Sequence, residues 1–391
     1  MNNISFCIPS KNNLRYLKRA IEYLRKNCDQ KDHEILIWVD KDDDGTSEYL
    51  SSLQDEHIRF WVNPSKEPLG IGNAYDYLVS NAKNDLVMMY HADMIAGEGI
   101  DTAVLEHHAQ NVVVCATRIE PPLHPTELCK ITEDFGLWPE SVDEIADGFQ
   151  EKKFSYAVTS LKNKFKGKTT PGVFAPWLIS KQDYFALGGH DPLLNSLAED
   201  NDIFNRMFLA GFKFVQTWEG LVYHLTCRGG QFETAKTTED LRNKSQAWLQ
   251  LSQIKTREFI RKWKYAPMSS ELKEPIVWNS YDVHANLTGV VDGPRTISYL
   301  QTIEPYFSSI TVDNPEAARR YIEQESRNTQ YNLHDKFFGN KENSIVVTFN
   351  LSALNAPLFS AVIEKLPLII DQITENGTYK YDIFTFNINR L

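Results

Sequence analysis

Leu86-Val87-Met88-Met89-Tyr90-His91-Ala92-Asp93-Met94 is an apolar run of strand length that stops on a histidine and an aspartate. A strand covered on both faces reads this way, and its last residues emerge at the carboxyl edge of a sheet. Three earlier segments have the same form. Ile4-Ser5-Phe6-Cys7-Ile8 ends in Pro9-Ser10, Glu34 to Val39 ends at Asp40, and Ile58 to Val62 follows. Between them Leu14, Leu17, Ile21 and Leu24 recur at helical spacing up to Asn27. Thr46 or Ser47 is placed to cap a short helix through Leu53, and Asn73 to Ala82 reads as a third helix. Strands alternating with helices predict a doubly wound α/β sheet.

The composition sets outer bounds. At ~100–200 residues per domain, 391 residues predict two or three domains, and 42% hydrophobic residues exclude a wholly disordered chain. Forty-one Lys and Arg against 52 Asp and Glu give a net charge of −11, which argues against a general binder of nucleic acid or anionic membrane. The five cysteines are scattered with no CxxC pair, so they are expected to be reduced thiols rather than a zinc site or a disulfide framework. No secretory signal and no apolar run near the ~20 residues of a membrane helix is read, so a soluble, cytoplasmic protein is expected.

Polar residues gather at the edge where open parallel sheets bind ligands: Pro9-Ser10, Asp40 and His91-Ala92-Asp93. Gly70-Ile71-Gly72-Asn73 precedes the third helix, where small residues let backbone N–H groups approach an anion, or merely turn the chain. Asp42 to Asp44 reads as a solvated turn. Further on, Glu199-Asp200 opens a helix to Ala210 with Gly211 as its stop. Asp200 lies on the stripe of Ile203, Phe204 and Met207, so it is either a cap or an inward-facing functional carboxylate. Leu221-Val222-Tyr223 is a short strand that delivers His224, a ligand or a hydrogen-bonded structural residue. Trp177, near a strand end, belongs to the core or offers its ring face to a ligand.

These pieces, in this order, resemble the family 2 glycosyltransferases, which have the Rossmann-like GT-A fold, over about residues 3–230. Ile8-Pro9-Ser10-Lys11-Asn12 looks like the family's opening strand and turn. Val39-Asp40 matches its strand-end aspartate, and Asn63, Gly70 and Gly72-Asn73 look like its glycine-containing loop. His91-Ala92-Asp93 falls where the family has Asp-x-Asp. Phe185-Ala186-Leu187-Gly188-Gly189-His190-Asp191, Glu199-Asp200-Asn201-Asp202, Arg206, Gly211-Phe212 and Tyr223-His224 follow the family pattern at similar spacing. Two departures stand out: His91 replaces the first Asp of Asp-x-Asp, and Tyr75-Asp76 replaces an Arg-Asn pair in the third helix.

The resemblance implies metal-dependent, inverting transfer of a sugar from a nucleotide diphosphate to an acceptor hydroxyl of a glycan or glycoconjugate. Asp200 is the expected base. Pro9, Ser10, Asp40, Gly70, Asn73, His91, Ala92 and Asp93 are expected around the nucleotide. Asp93 and His224, with His91, are expected to hold a divalent cation, and an imidazole ligand tilts the choice toward Mn²⁺ over Mg²⁺. Trp177, Gly189 and Glu199 are expected to meet substrate. A sugar-nucleotide nucleotidyltransferase and a non-catalytic nucleotide- or glycan-binding module are the alternatives. A transferase domain is expected at 1–235, a connecting helical segment at 236–266, and a smaller C-terminal α/β domain at 267–391. That last domain has no catalytic constellation; it is a candidate for acceptor binding or self-association. It reads as strands at Ser344–Phe349 and Tyr379–Ile388 with a helix at Pro357–Ile373 between them. Residues 118–170, Pro-rich and then charged, carry no legible motif.

Overall fold

The computed structural model describes residues 3–123, 129–138, 148–172, 174–226, 246–267, 282–339 and 344–390. They divide into two compact units, one reaching to Gln250 and the other formed by residues 251–267 and 282–390.

The first unit begins β1 (Ile4–Lys11), α1 (Leu14–Asn27), β2 (Glu34–Lys41), α2 (Thr46–Ser52), β3 (Ile58–Val62), α3 (Ile71–Asn81) and β4 (Leu86–Met89). It continues through β5 (Met94–Ala96), α4 (Ile100–Leu105), β6 (Val112–Glu120), β7 (Lys130–Thr132), α5 (Glu151–Lys164) and β8 (Thr169–Thr170). Then come β9 (Trp177–Ser180), α6 (Lys181–Ala186), α7 (Glu199–Leu209) and β10 (Lys213–His224). The sheet runs β3-β2-β1-β4-β9-β6-β10-β5, with β7 against β6 and β8 against β10.

The first four strands are parallel and almost wholly buried in β1, β2 and β4, as their unbroken apolar runs predict. Strand order reverses at β1, which lies between β2 and β4, and the crevice outside such a reversal is where ligands bind. The far half is mixed rather than doubly wound. β9 runs antiparallel to both β4 and β6, and β5 runs antiparallel to β10. The four strands read from the sequence are thus parallel as expected, and the mixed far half stays within the expected α/β class.

The acidic turn differs from its expected role as well. The residue before α2 is Gly45, and the helix is capped by carboxylates rather than by Thr46 or Ser47. Asp44 Oδ1 accepts from the Thr46 N–H at 3.2 Å, Asp42 Oδ2 from the Ser47 N–H at 3.1 Å, and Asp44 Oδ2 from the Leu14 N–H at 2.8 Å. One turn thus serves the amino ends of both α1 and α2, where negative charge is favoured.

α8 (Gln246–Trp263) spans the boundary at residues 250–251, and the second unit continues with β11 (Val283–Thr288), α9 (Pro294–Ile303), β12 (Ser309–Val312), α10 (Pro315–Glu325) and α11 (Leu333–Phe338). Then come β13 (Ile345–Asn350), α12 (Ala356–Leu358), α13 (Leu366–Gln372), β14 (Gly377–Tyr381) and β15 (Phe384–Ile388). The sheet is β12-β11-β13-β15-β14, its first three strands parallel. The stretch expected as one strand over Tyr379–Ile388 is a hairpin that turns at Asp382, whose φ of 48° an aspartate tolerates. The helix expected at Pro357–Ile373 is broken into α12, a π turn over Phe359–Ile363 and α13. Pro367 explains the second break, because proline fits only the first turn of a helix.

The helix expected from Lys244 starts, among the described residues, at Gln246; residues 244 and 245 and the boundary at 235–236 lie outside them. Its buried side is Glu258-Phe259-Ile260-Arg261 rather than Trp248, Leu251, Ile254 and Trp263; Leu251 is exposed.

Candidate active site

His91 follows β4, Asp93 leads into β5, and His224 ends β10 opposite Met94 in the ladder. Three chain segments thereby bring one ligating atom each to within 4.8 Å of one another. His224 Nε2 is 3.7 Å from Asp93 Oδ1, and the two imidazole rings are 5.6 Å apart. Desolvation pushes His91 down to about 4, against the pull of Asp93 and with help from His224 and Arg118, so its ring is neutral and offers a lone pair. Two imidazoles and a carboxylate with room for further ligands suit a divalent cation whose remaining positions are filled by water and phosphate.

A residue that sequence reasoning missed completes this cluster. Glu120 Oε1 lies 2.8 Å from His224 Nδ1, and an acceptor there places that proton on Nδ1 and leaves Nε2 free for a metal. Burial opposes the Glu120 charge, but His224, Arg118 and Lys130 hold its carboxyl well below the usual range. Lys130 Nζ is 2.9 Å from Oε2, and Arg118 Nη1 is 3.2 Å from Oε1. The signal was present: Val112 to Ala116 is an apolar run that ends, like β4, in charged residues.

Asp200 stands in the first turn of α7, which starts after Ala198 in a left-handed conformation with no side-chain cap. Asp200 is therefore no cap. Its neighbour Asp202 is the structural carboxylate, buried and paired with Arg206 at 2.9 Å. Burial raises the Asp200 pKa, while His190 and Arg118 pull it back. The phenol of Tyr75, wholly buried in α3, is pushed well above its ordinary pKa by burial and by the negative charges of Asp200, Glu199 and Asp93.

Several expected contacts turn out to hold the chain instead. Asp40 Oδ1 accepts from Leu69 N–H at 2.7 Å, Asn63 Nδ2 at 2.9 Å and Trp38 Nε1 at 3.1 Å, which leaves only Oδ2 room for another donor. The Gly70 N–H donates to that Oδ2 at 3.2 Å, and the Gly72 N–H to Asn195 O at 3.0 Å. These N–H groups are used within the protein and do not form the anion cradle. Glycine is required there by close approach, since a Cβ on Gly70 would lie 2.6 Å from Asn195 O and one on Gly72 3.1 Å from His190 Cβ. Asn73 Nδ2 returns to Leu69 O at 3.1 Å. Gly189 is likewise a packing position: at φ 70° its Cβ would meet Asp76 Oδ1 at 2.8 Å.

Trp177 is fully buried between Phe204 and Tyr184, so it cannot stack on a sugar; the core reading holds. Pro9 and Ser10 lie at the carboxyl end of β1, and the buried Ser10 hydroxyl has no protein partner. Ala92 is buried and Glu199 half-buried. No disulfide forms among the described residues, and none of their helices is long and apolar enough to cross a membrane.

Among solved structures, the chain is similar to GalNAc-T7 with UDP, GalNAc and Mn²⁺, at 17% identity over 57% of this chain and 43% of that one, TM-score 0.43. It is also similar to Staphylococcus aureus TarS, at 13% identity over 70% of this chain and 41% of that one, TM-score 0.42. The TarS 1–349 complex with UDP-GlcNAc matches at 14% identity over 70% and 68%, TM-score 0.43. The chain thus spans about two-fifths of the length of the first two. A search of curated proteins found no match. The family model described as glycosyl transferase family 2 matches residues 5–163, a range that holds Asp40, His91, Asp93 and Glu120 and ends before Asp200 and His224. Residues 5–163, about two-fifths of the chain and all within its first unit, are thus similar to glycosyl transferase family 2.

Proposed function

We propose that this chain transfers a sugar from a nucleotide-diphosphate donor to an acceptor hydroxyl, with inversion at the anomeric carbon. The observation that carries the reading is the His91–Asp93–His224 cluster, whose ligating atoms lie within 4.8 Å of one another past the carboxyl end of β4. His91, Asp93 and His224 would hold a divalent cation, with Mn²⁺ favoured by the two imidazoles. Bound there, such an ion supplies Lewis-acid neutralisation of the diphosphate.

The chain's own residues do the rest. Asp200, partly exposed in the first turn of α7, is the carboxylate that receives the acceptor hydroxyl. It takes that proton as the hydroxyl oxygen attacks the anomeric carbon, and the nucleoside diphosphate leaves with the bonding pair. Arg118, near the end of β6 and 3.2 Å from Glu120, would add positive charge against the negative charge that the diphosphate gathers. Ser10 offers a buried hydroxyl to the donor.

The test is a thermal-shift panel of nucleoside diphosphates and their sugars, each with MnCl₂, MgCl₂ or chelator. A ligand at about 100 times its Kd stabilises the fold by about 2.7 kcal/mol, a visible rise in Tm. A rise with one nucleotide that needs the metal and disappears in Asp93→Ala supports the reading. A flat panel overturns it, and pyrophosphate release from a nucleoside triphosphate and a sugar phosphate would make the chain a nucleotidyltransferase.

A further inference from the structure

The second sheet has a crevice of its own. β11 lies between β12 and β13, and all three are parallel, so strand order reverses at β11 as it does at β1 in the first unit. Ligands of open α/β sheets bind outside the carboxyl ends of the strands at such a reversal. A cleft of about 270 Å³ lies there, lined by the loop that leads from β11 into α9 and by Leu351 and Ser352 after β13.

The start of that loop is held by the protein. Asp313 accepts from the Gly289 N–H at 2.7 Å and the Val290 N–H at 3.0 Å, and the Ser352 hydroxyl donates to Gly289 O at 2.6 Å. Gly289 stands at φ 68°, where a Cβ would collide with the Asn350 side chain. The rest of the loop is different. The N–H groups of Val291, Asp292, Gly293 and Arg295 find no acceptor among the described residues, and a Cβ on Gly293 would meet no atom within 4 Å. Free N–H groups at the positive end of a ten-residue helix favour an anion.

Water alone would satisfy such a helix end, but Thr296 is an independent observation. It is only 8% exposed and lines the cleft, yet its hydroxyl makes no hydrogen bond among the described residues. A helical threonine commonly returns that bond to the carbonyl four residues back; here the bond is not made. The charges of the lining are of both signs. Arg295 folds over Tyr299, its Nη2 2.9 Å from the phenol oxygen and its guanidinium 5.4 Å from the ring centroid. Asp292 Oδ2 is 3.2 Å from Arg320 Nη2, whereas its Oδ1 is buried and has no partner. A bare anion would leave that oxygen unsatisfied, and a ligand with a hydroxyl near its phosphate supplies the missing donor.

We propose that this crevice binds the phosphate ester of a small polyhydroxylated molecule, a sugar phosphate or a nucleotide. The phosphate sits at the amino end of α9 on the Thr296 hydroxyl, with Arg295 beside it, and a hydroxyl of the ligand donates to Asp292. The inference is independent of the activity proposed for the first unit.

The test is calorimetric titration of the full chain with ribose-5-phosphate, AMP, inorganic phosphate and ribose. EDTA is present throughout, so that metal-dependent binding at His91, Asp93 and His224 does not contribute. One or both esters are expected to bind more tightly than inorganic phosphate, and ribose not at all. Tighter binding of AMP makes the ligand a nucleotide, and equal binding of the two esters makes it a sugar phosphate. Thr296→Val keeps the shape and removes the hydroxyl, and Arg295→Gln changes an exposed side chain that the fold does not need. Each is expected to weaken the ester roughly tenfold. No binding of either ester overturns the proposal, as does inorganic phosphate binding as tightly as the esters. A Kd unchanged in both variants places the ligand elsewhere and overturns it as well.

Discussion

Nδ1 of His224 and Oε1 of Glu120 are 2.8 Å apart, from the last residues of two neighbouring parallel strands. The strands' register does the placing: Tyr223 stands opposite Ile119, so the two chains deliver His224 and Glu120 side by side. Glu120→Gln keeps the volume but offers a weaker acceptor, and the ring is then free to choose its other tautomer. Mn²⁺ affinity is expected to fall ten- to a hundredfold, as when other second partners of metal-binding histidines are removed. Calorimetric titration of the variant with MnCl₂ measures it; an unchanged Kd would detach Glu120 from the metal.

Asp200→Asn is expected to abolish transfer while nucleotide affinity stays within about threefold, because in the proposed function the carboxylate acts on the acceptor and other residues would hold the donor's diphosphate. The same variant should be more stable than wild type near neutral pH. Burial raises the Asp200 pKa above its unfolded value, so folding favours the protonated acid; wild type loses that contribution as pH rises through the folded pKa. An amide removes the penalty. The Tm advantage of Asp200→Asn should therefore shrink as the pH is lowered below the raised pKa, and a constant difference from pH 4 to 8 would contradict it.

What could be read in advance follows a physical divide. β1, β2 and β4 were legible because strands buried on both faces must be apolar throughout, and α7 because Ile203, Phe204 and Met207 fix its inner side. Asp93, Asp200 and His224 could be singled out because polar residues at strand or helix ends need a reason. Glu120 and Arg118 were missed, although their strand has the same pattern, because the Pro-rich stretch after it hides where the sheet ends. The roles of Gly70, Gly72 and Gly189 were also beyond reach. Whether a glycine cradles an anion or admits a neighbour depends on Asn195, His190 and Asp76, which stand far away in sequence. β9 and the β14–β15 hairpin are antiparallel insertions whose pairing depends on long-range partners, and no local pattern announces them.

Gly189→Ala tests the packing role directly. At φ 70° an alanine is strained by roughly 1–2 kcal/mol, and its Cβ would press on Asp76 at 2.8 Å. A loss of about 2–4 kcal/mol in urea unfolding is expected from both effects together. A loss under about 0.5 kcal/mol, with weaker donor binding instead, would return Gly189 to the substrate.

The second unit carries its own test, in a buried charge network that joins α8 to α10 and to the residues after α9. Arg261, fully buried, reaches Glu304 Oε2 at 2.6 Å and Glu325 Oε1 at 2.8 Å, and also bonds Glu258. Lys336 Nζ is 2.5 Å from Glu304 Oε1, and Arg257 Nε is 2.7 Å from Glu325 Oε1. Burial opposes the charge on Glu304, but Lys336 and Arg261 hold its carboxyl down to about 2. Removing one member of such a set strands the others, so Arg261→Ala is expected to cost about 3–5 kcal/mol. Arg257→Ala should cost less, since Glu325 keeps Arg261. The pH dependence follows from the lowered Glu304 pKa: its contribution is complete above the unfolded value of 4.5 and is lost as pH falls toward about 2. With Arg261 gone, the folded pKa rises toward 4.5 and that stabilisation is already missing at neutral pH. Acid unfolding, followed by circular dichroism from pH 7 to 2, should therefore begin at higher pH in Arg261→Ala than in wild type, with Arg257→Ala between them.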